Sequence, residues 1–332
     1  MILKRFLFPT LLLATVLTAS CAIEPNTDSN YSEDRVMKAW INTYYPTAKT
    51  VGDTGVYLLE TQNGNGVTVP DSAYVQVHYT KFNLDGSVIS TNDEDIAGQN
   101  GQYAPTSWYG GNIWRVDQGY LPEGLEQVIK SMRSGAHFKA AIPASSSSHD
   151  YSAYTAFSST SENVNQIIDV TIDTVYADIY AYQERVMRQW FILNCQVPDT
   201  VAEHLYFKKL EAHESSSDTI ASGNEVKVRY IGRMMNGQVF DTNIEDTAKF
   251  YRIWTNGGSY DALSITYYPG DEDITTKNSV VDGFAMAIAR MNYNEKAVTL
   301  FGPQLGYGES GSSPTIPEYS PLVFWLWIEQ KQ

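Results

Sequence analysis

Phe240 and Asp241 set an aromatic ring beside a carboxylate, and Tyr230 stands ten residues before Phe240. No nucleophile-base pairing and no metal-ligand spacing surrounds them. The other chemistry-bearing groups read as loops. Gly306, Gly308 and Gly311 spell G-x-G-x-x-G, but such a loop cradles a dinucleotide only between a strand and a helix. Pro314 and Pro317 follow it here, so no helix starts. His149-Asp150 after Ser145–Ser148 could supply hydrolase parts, yet no G-x-S-x-G elbow exists. The five His are scattered without ligand spacing, so no metal or cofactor is expected. Asp271-Glu272-Asp273 reads as a solvated acidic run, with a weak calcium loop as the alternative.

The element that carries the ring-carboxylate pair is Val226 to Asp241. Val226, Val228 and Tyr230 alternate with Lys227 and Arg229, the period of a half-buried strand. Asn236-Gly237 is a hairpin signal, because both residue types tolerate positive φ. The second strand ends at Phe240-Asp241.

This element occurs twice. Val75–Tyr79 and Asp85-Gly86 match Val226–Tyr230 and Asn236-Gly237 at an offset of 151 residues. Upstream, Arg35-Val36-Met37 before Trp40 matches Arg185-Val186-Met187 before Trp190 at an offset of 150. Both stretches read as helices with Val36 and Trp40, or Val186 and Trp190, on one face. Downstream, Gly124-Leu125, Val128, Ile129 and Met132 match Gly283-Phe284, Ala287, Ile288 and Met291 at an offset of 159. Each set marks one buried face of a short helix. Apolar strands follow at Phe138–Ile142 and Ala297–Phe301, and closing strands at Gln166–Val175 and Pro321–Ile328. An offset this steady means duplication. The predicted domains are 31–178 and 179–332, each opening with its own helix and a strand (Val56–Glu60; Leu205–Leu210).

The chain has 332 residues, 43% hydrophobic and 13% aromatic, enough for two cores. A net charge of −15 argues against nucleic acid or an anionic membrane surface as main partner. Residues 1–21 read as a leader. Lys4 and Arg5 precede an apolar run from Phe6 to Leu17, too short for a comfortable membrane span. Thr18-Ala19-Ser20-Cys21 resembles the lipobox of bacterial lipoproteins, with Thr18 where Leu is usual. The resemblance implies lipidation of Cys21, a tether over 22–30 and a lipid-anchored place in the cell envelope. The alternative is ordinary signal-peptide cleavage with Cys21 incidental. Cys195 is then unpaired among Trp190, Phe191, Ile192 and Leu193, and reads as a small buried hydrophobe. No disulfide framework is on offer.

In their order, these blocks resemble the FKBP-type peptidyl-prolyl cis-trans isomerases. Tyr230 and Phe240-Asp241 fit that family's hairpin. Val280-Val281-Asp282-Gly283-Phe284 fits its lead into the helix, with Phe284 where a floor Trp is usual. Leu305-Gly306-Tyr307-Gly308 fits its Ala-Tyr-Gly loop, and Ile316-Pro317 and Leu322-Val323-Phe324 fit the loop tip and last strand. The implied fold class is α+β: two tandem FKBP-like domains, each an antiparallel sheet wrapped around a short helix, each preceded by an extra helix. The first domain keeps Tyr79 but has Ile89-Ser90 at the Phe-Asp place, no aromatic floor in Leu121–Leu125, and Ile168 in place of the last-strand Phe. It reads as FKBP-like with a degraded pocket. The links 91–120 and 244–279 leave their pocket residues unassigned.

The resemblance implies isomerisation of X-Pro bonds, with polypeptide clients, no cofactor, and membrane contact only through the lipid. Twisting an X-Pro amide meets a barrier of about 18–20 kcal/mol because resonance is lost. A site lowers it by holding the twisted amide better than the planar one. In the family's terms Tyr230, Phe240, Phe284 and Phe324 form the cup, beside Ile316. Tyr307 and the Val281 N–H are donors to substrate. Asp241 orients the pocket through Tyr230 or a neighbouring backbone group. The rival reading is a non-catalytic lipoprotein using two such scaffolds to bind protein or glycan, with Tyr251, Trp254, Tyr260, Tyr267 and Tyr268 as stacking surfaces.

Overall fold

The computed structural model describes residues 29–117, 119–147, 164–212, 219–268 and 279–331. The leader 1–21 with Cys21, the tether up to residue 28, His149-Asp150 and Asp271–Asp273 lie outside them. The chain opens with helix α1 (Ser29–Tyr44). Strands β1 (Lys49–Thr50), β2 (Tyr57–Gln62), β3 (Ala73–Phe82) and β4 (Val88–Thr91) follow. Helix α2 (Glu94–Gln99), β5 (Asn112–Val116), α3 (Glu123–Lys130), β6 (His137–Ile142), α4 (Ala144–Ser147) and β7 (Gln166–Tyr176) complete the first unit.

The second unit repeats this plan. Helix α5 (Ile179–Cys195), β8 (Thr200–Ala202), β9 (Leu205–Glu211), β10 (Glu225–Met234) and β11 (Val239–Thr242) lead. Helix α6 (Glu245–Phe250), β12 (Leu263–Thr266), α7 (Asp282–Ile288), β13 (Lys296–Phe301) and β14 (Leu322–Ile328) finish it. Among the described residues the two sheets are seven-stranded, ordered β1-β2-β6-β7-β3-β4 with β5 on β3, and β8-β9-β13-β14-β10-β11 with β12 on β10. The order is the same in both. Even the bulge repeats, between Lys81 and Phe82 and between Gly232 and Arg233.

Each sheet packs on both faces. In β14, Leu322, Phe324, Leu326 and Ile328 point towards α7, where Phe284, Ala287 and Ile288 are buried with them. Val323 points the other way, with Val298 and Leu300, onto Met187, Phe191 and Cys195 of α5. Cys195 is thus a buried free thiol, and burial pushes its pKa up. In the first unit Met37 and Ile41 of α1 pack on Ala141. Val36, expected inward, is 51% exposed, because the sheet meets the face one residue further round. The Trp40 and Trp190 indole N–H groups donate to the hairpin carbonyls of Leu84 and Met235, both at 2.8 Å.

The hairpin turns differ in detail from expectation. Gly86 and Gly237 have positive φ, while the preceding Asp85 and Asn236 do not. Those side chains instead accept from the N–H groups of Ser87 and Gln238, at 2.9 and 3.0 Å. Helix α5 joins the units. Asp178 caps it, accepting from the N–H groups of Tyr180 and Ala181. Its first residue, Ile179, belongs to the first unit's core, whereas Met187 onward serves the second.

Candidate active site

Tyr230 lies on β10 two residues before the bulge, whose extra residue is Phe240 of β11. Its hydroxyl donates to Asp241 Oδ2 at 2.7 Å across the β10–β11 pair. Thr242 and Asn243 fix that pairing from behind. The Thr242 hydroxyl donates to the Tyr230 carbonyl at 2.7 Å, and Asn243 Oδ1 accepts from the Tyr230 N–H at 2.9 Å. Asn243 also donates to the Val228 carbonyl at 2.8 Å. The side-chain amide thereby continues the pairing of β10 beyond the end of β11 at Thr242.

Tyr230 and three phenylalanine rings line the well. Phe284 meets the Tyr230 ring edge-on at 5.8 Å and Phe324 edge-on at 5.3 Å. Phe240 meets Phe324 edge-on at 5.5 Å, and Tyr230 tilts over Phe324 at 6.1 Å. Phe301 stacks on the outer side of Phe324 at 5.7 Å. Edge-to-face packing of this kind locks ring orientation. Gly232 permits it, since a Cβ there would lie 2.7 Å from the Phe240 ring and 3.0 Å from Phe324. Ile316 is buried in the same cluster.

The polar edge carries three groups. Val281 caps α7, its carbonyl accepting from the N–H groups of Phe284 and Ala285 at 3.0 and 3.1 Å. Among the described residues the Val281 N–H has no acceptor. Tyr307 is 41% exposed at the rim. Burial and then the Asp241 charge raise its phenol pKa. Burial first, then the charge and hydrogen bond of Asp241, push the Tyr230 phenol further above its ordinary value. Both phenols therefore stay protonated and able to donate at neutral pH. The eight expected residues, Tyr230, Phe240, Asp241, Val281, Phe284, Tyr307, Ile316 and Phe324, lie around this one part of the second unit.

The first unit differs at the same place. Tyr79 is buried, and Trp114 from β5 tilts against it at 5.5 Å. By register Val75 pairs with Trp114 where Val226 pairs with Ile265. A buried indole thus fills the space that an isoleucine leaves in the second unit. Trp114 lies in the unassigned link, so the sequence did not expose it.

Thr91-Asn92 repeats the supports at Thr242-Asn243. Asn92 Oδ1 accepts from the Tyr79 N–H at 2.7 Å, and Thr91 donates to the Tyr79 carbonyl at 3.1 Å. The signal was available: Thr-Asn-x-Glu-Asp-x-Ala recurs at 91–97 and 242–248. Of the link aromatics, Tyr267 is buried and donates to the Ala289 carbonyl at 3.1 Å, and Tyr268 packs on the core. Trp254 is exposed, with the Lys249 ammonium 5.8 Å from its ring.

The family model for FKBP-type peptidyl-prolyl cis-trans isomerase matches residues 272–328, the stretch that carries Val281, Phe284, Tyr307, Ile316 and Phe324. This part of the second unit is similar to the FKBP-type peptidyl-prolyl cis-trans isomerases. FK506-binding protein 1A of Aspergillus fumigatus is 26% identical over 117 residues, 35% of this chain and 86% of that protein. Peptidyl-prolyl cis-trans isomerase Mip of Coxiella burnetii is 30% identical over 125 residues, 38% of this chain. The chain spans 44% of the Coxiella protein's length and 35% of a Haemophilus influenzae relative's. Among solved structures, the three FKBP domains of wheat FKBP73 align over 86% of this chain and 98% of that one, at 16% identity and a TM-score of 0.31.

Proposed function

We propose that the second unit catalyses cis-trans isomerisation of X-Pro bonds in polypeptide clients, as a folding helper of the cell envelope. The observation that carries this reading is the Tyr230–Asp241 hydrogen bond closing a four-ring well, with the Tyr307 phenol kept protonated at its rim. The rings grip the pyrrolidine and exclude water. Tyr307 and the Val281 N–H donate to carbonyls beside the twisting bond. Asp241 fixes Tyr230, so the wall is set before substrate arrives. No proton changes hands and no cofactor takes part. The envelope part rests on the leader and Cys21; Cys21→Ser leaves the chain in the soluble fraction on that reading.

Exchange NMR on a short X-Pro peptide tests the catalytic part. Loss of one neutral donor is worth about 1 kcal/mol, so Tyr307→Phe lowers turnover roughly fivefold. Asp241→Ala lowers it by about tenfold or more, since a charged acceptor is lost. Both variants keep the wild-type melting profile. Normal turnover in both would sink the proposal. Exposed Trp254 beside Lys249 favours a second reading, a binding module for protein or glycan. Ligand binding that survives Tyr307→Phe and fails in Trp254→Ala supports it.

A further inference from the structure

The loop between Tyr307 and β14 does not close over its own unit alone. Its tip, Ser313 to Pro317, forms one wall of a cavity of about 380 Å³ whose other walls are Tyr79, Ile89, Asn92, Trp108 and Asn112 of the first unit. Tyr79 and Ile89 stand at the positions that Tyr230 and Phe240 hold in the second unit. A proline-bearing loop of the same chain thus closes one side of the relict pocket of the first unit.

The attachment is built from half-buried and buried groups. The Trp108 backbone N–H donates to the Pro314 carbonyl at 2.9 Å, and the Trp108 ring packs on the second core. Gln238 of the second unit donates to the Ser107 carbonyl at 3.0 Å. Glu318, 2% exposed, accepts from Asn112 Nδ2 at 2.6 Å. Asn112 Oδ1 in turn accepts from Asn92, which holds the Tyr79 strand edge. Tyr319, 1% exposed, is a member of the first unit's core, edge-on to Tyr74 at 5.3 Å and Tyr180 at 5.9 Å. Gln183 of α5 donates to its carbonyl.

A carboxylate and a tyrosine this buried are costly to undock, because each is solvated by, or packed into, the partner unit. The loop reaches the active site by a short path. The Tyr319 N–H donates to the Gly308 carbonyl at 3.2 Å, next to Tyr307, and the Gly311 N–H donates to the Tyr307 carbonyl at 3.1 Å.

We propose that the first unit's relict pocket is a receptor in cis for the second unit's 312–319 loop, and that it holds Tyr307 in its working position. Asn112, Glu318 and Tyr319 are positioning residues in this scheme. Tyr307's role at the rim rests on the isomerase reading above; the docking of the loop does not.

The test uses the full chain with near-isosteric changes that leave both cores intact. Asn112→Asp sets two carboxylates against each other in place of the hydrogen bond. Combined with Glu318→Gln, it restores a donor and an acceptor with the roles exchanged. Amide exchange at pH 7 is followed at 306–312, with β3 and β10 as internal references. Asn112→Asp is expected to speed exchange at 306–312 at least tenfold while the references keep their protection. The double variant returns it to within about twofold of wild type. Unchanged exchange at 306–312 in Asn112→Asp overturns the proposal, and so does a double variant that fails to restore it.

X-Pro turnover is read on the same samples. A fall in kcat with KM nearly constant follows from misplacement of Tyr307. Faster loop exchange with unchanged kcat would overturn the positioning of Tyr307. A wild type with no turnover whose loop still responds would remove the isomerase reading and leave the receptor standing. An active wild type whose loop does not respond would do the reverse.

Discussion

Asp241 is an exposed carboxylate whose work is set by what it touches, the hydroxyl of Tyr230. The sequence left two partners open for it, and only the β10–β11 register chose between them. Lys81 shows a second residue-scale effect. It shares the inward parity of Val75, Val77 and Tyr79 on its strand and is only 7% exposed. Burial lowers its pKa from 10.5 to about 8. Between those two values the unfolded chain binds more protons than the folded one, so this residue makes stability rise with pH across that window. Lys81→Met is expected to flatten that rise and to stabilise the protein at pH 7 by about 1–3 kcal/mol. Urea unfolding at pH 7 and pH 10 measures both; equal slopes in the two proteins would rule it out.

At the scale of elements, the short helix of each unit must lie almost against a neighbouring segment, β13 in the second unit and the connection before β2 in the first. A Cβ on Gly283 would fall 2.2 Å from the Phe301 ring, and one on Gly124 would fall 2.3 Å from Thr54 Oγ1 and 2.6 Å from Val56. Both glycines were visible in the repeat as the residue leading each helix. Their reason was not, since it is a contact with a distant segment. Gly283→Ala lifts α7 off β13 and with it Phe284, the floor of the well. The expected loss is about 2–3 kcal/mol of stability, together with weaker X-Pro binding. Denaturant unfolding and peptide titration read the two effects.

At the scale of the molecule, α5 and the 312–319 loop tie the units together from two sides. Ile179 and Tyr319 lie in the first core while belonging to elements that continue into the second. Unfolding of either unit therefore strands buried groups of the other, and calorimetry of the described pair is expected to give one cooperative transition. Asn112→Asp weakens the shared contact and separates it into two. Two transitions already present in the wild type would show the units to be thermally independent.

The sequence by itself determined the duplication, the strand-turn-strand hairpins, the ring-carboxylate pair and the eight residues around the well, because each is local or recurs at a constant offset. It also marked the first pocket as altered through Ile89, Ser90 and Ile168. Tertiary structure alone decided what fills that pocket. Trp114 arrives from a strand in an irregular link, and Pro314, Glu318 and Tyr319 arrive from about two hundred residues downstream, as the Asn112–Glu318 separation of 206 residues records. No periodicity links positions so far apart. Their meeting follows from the packing of one sheet unit against the other, which patterning within either unit does not encode.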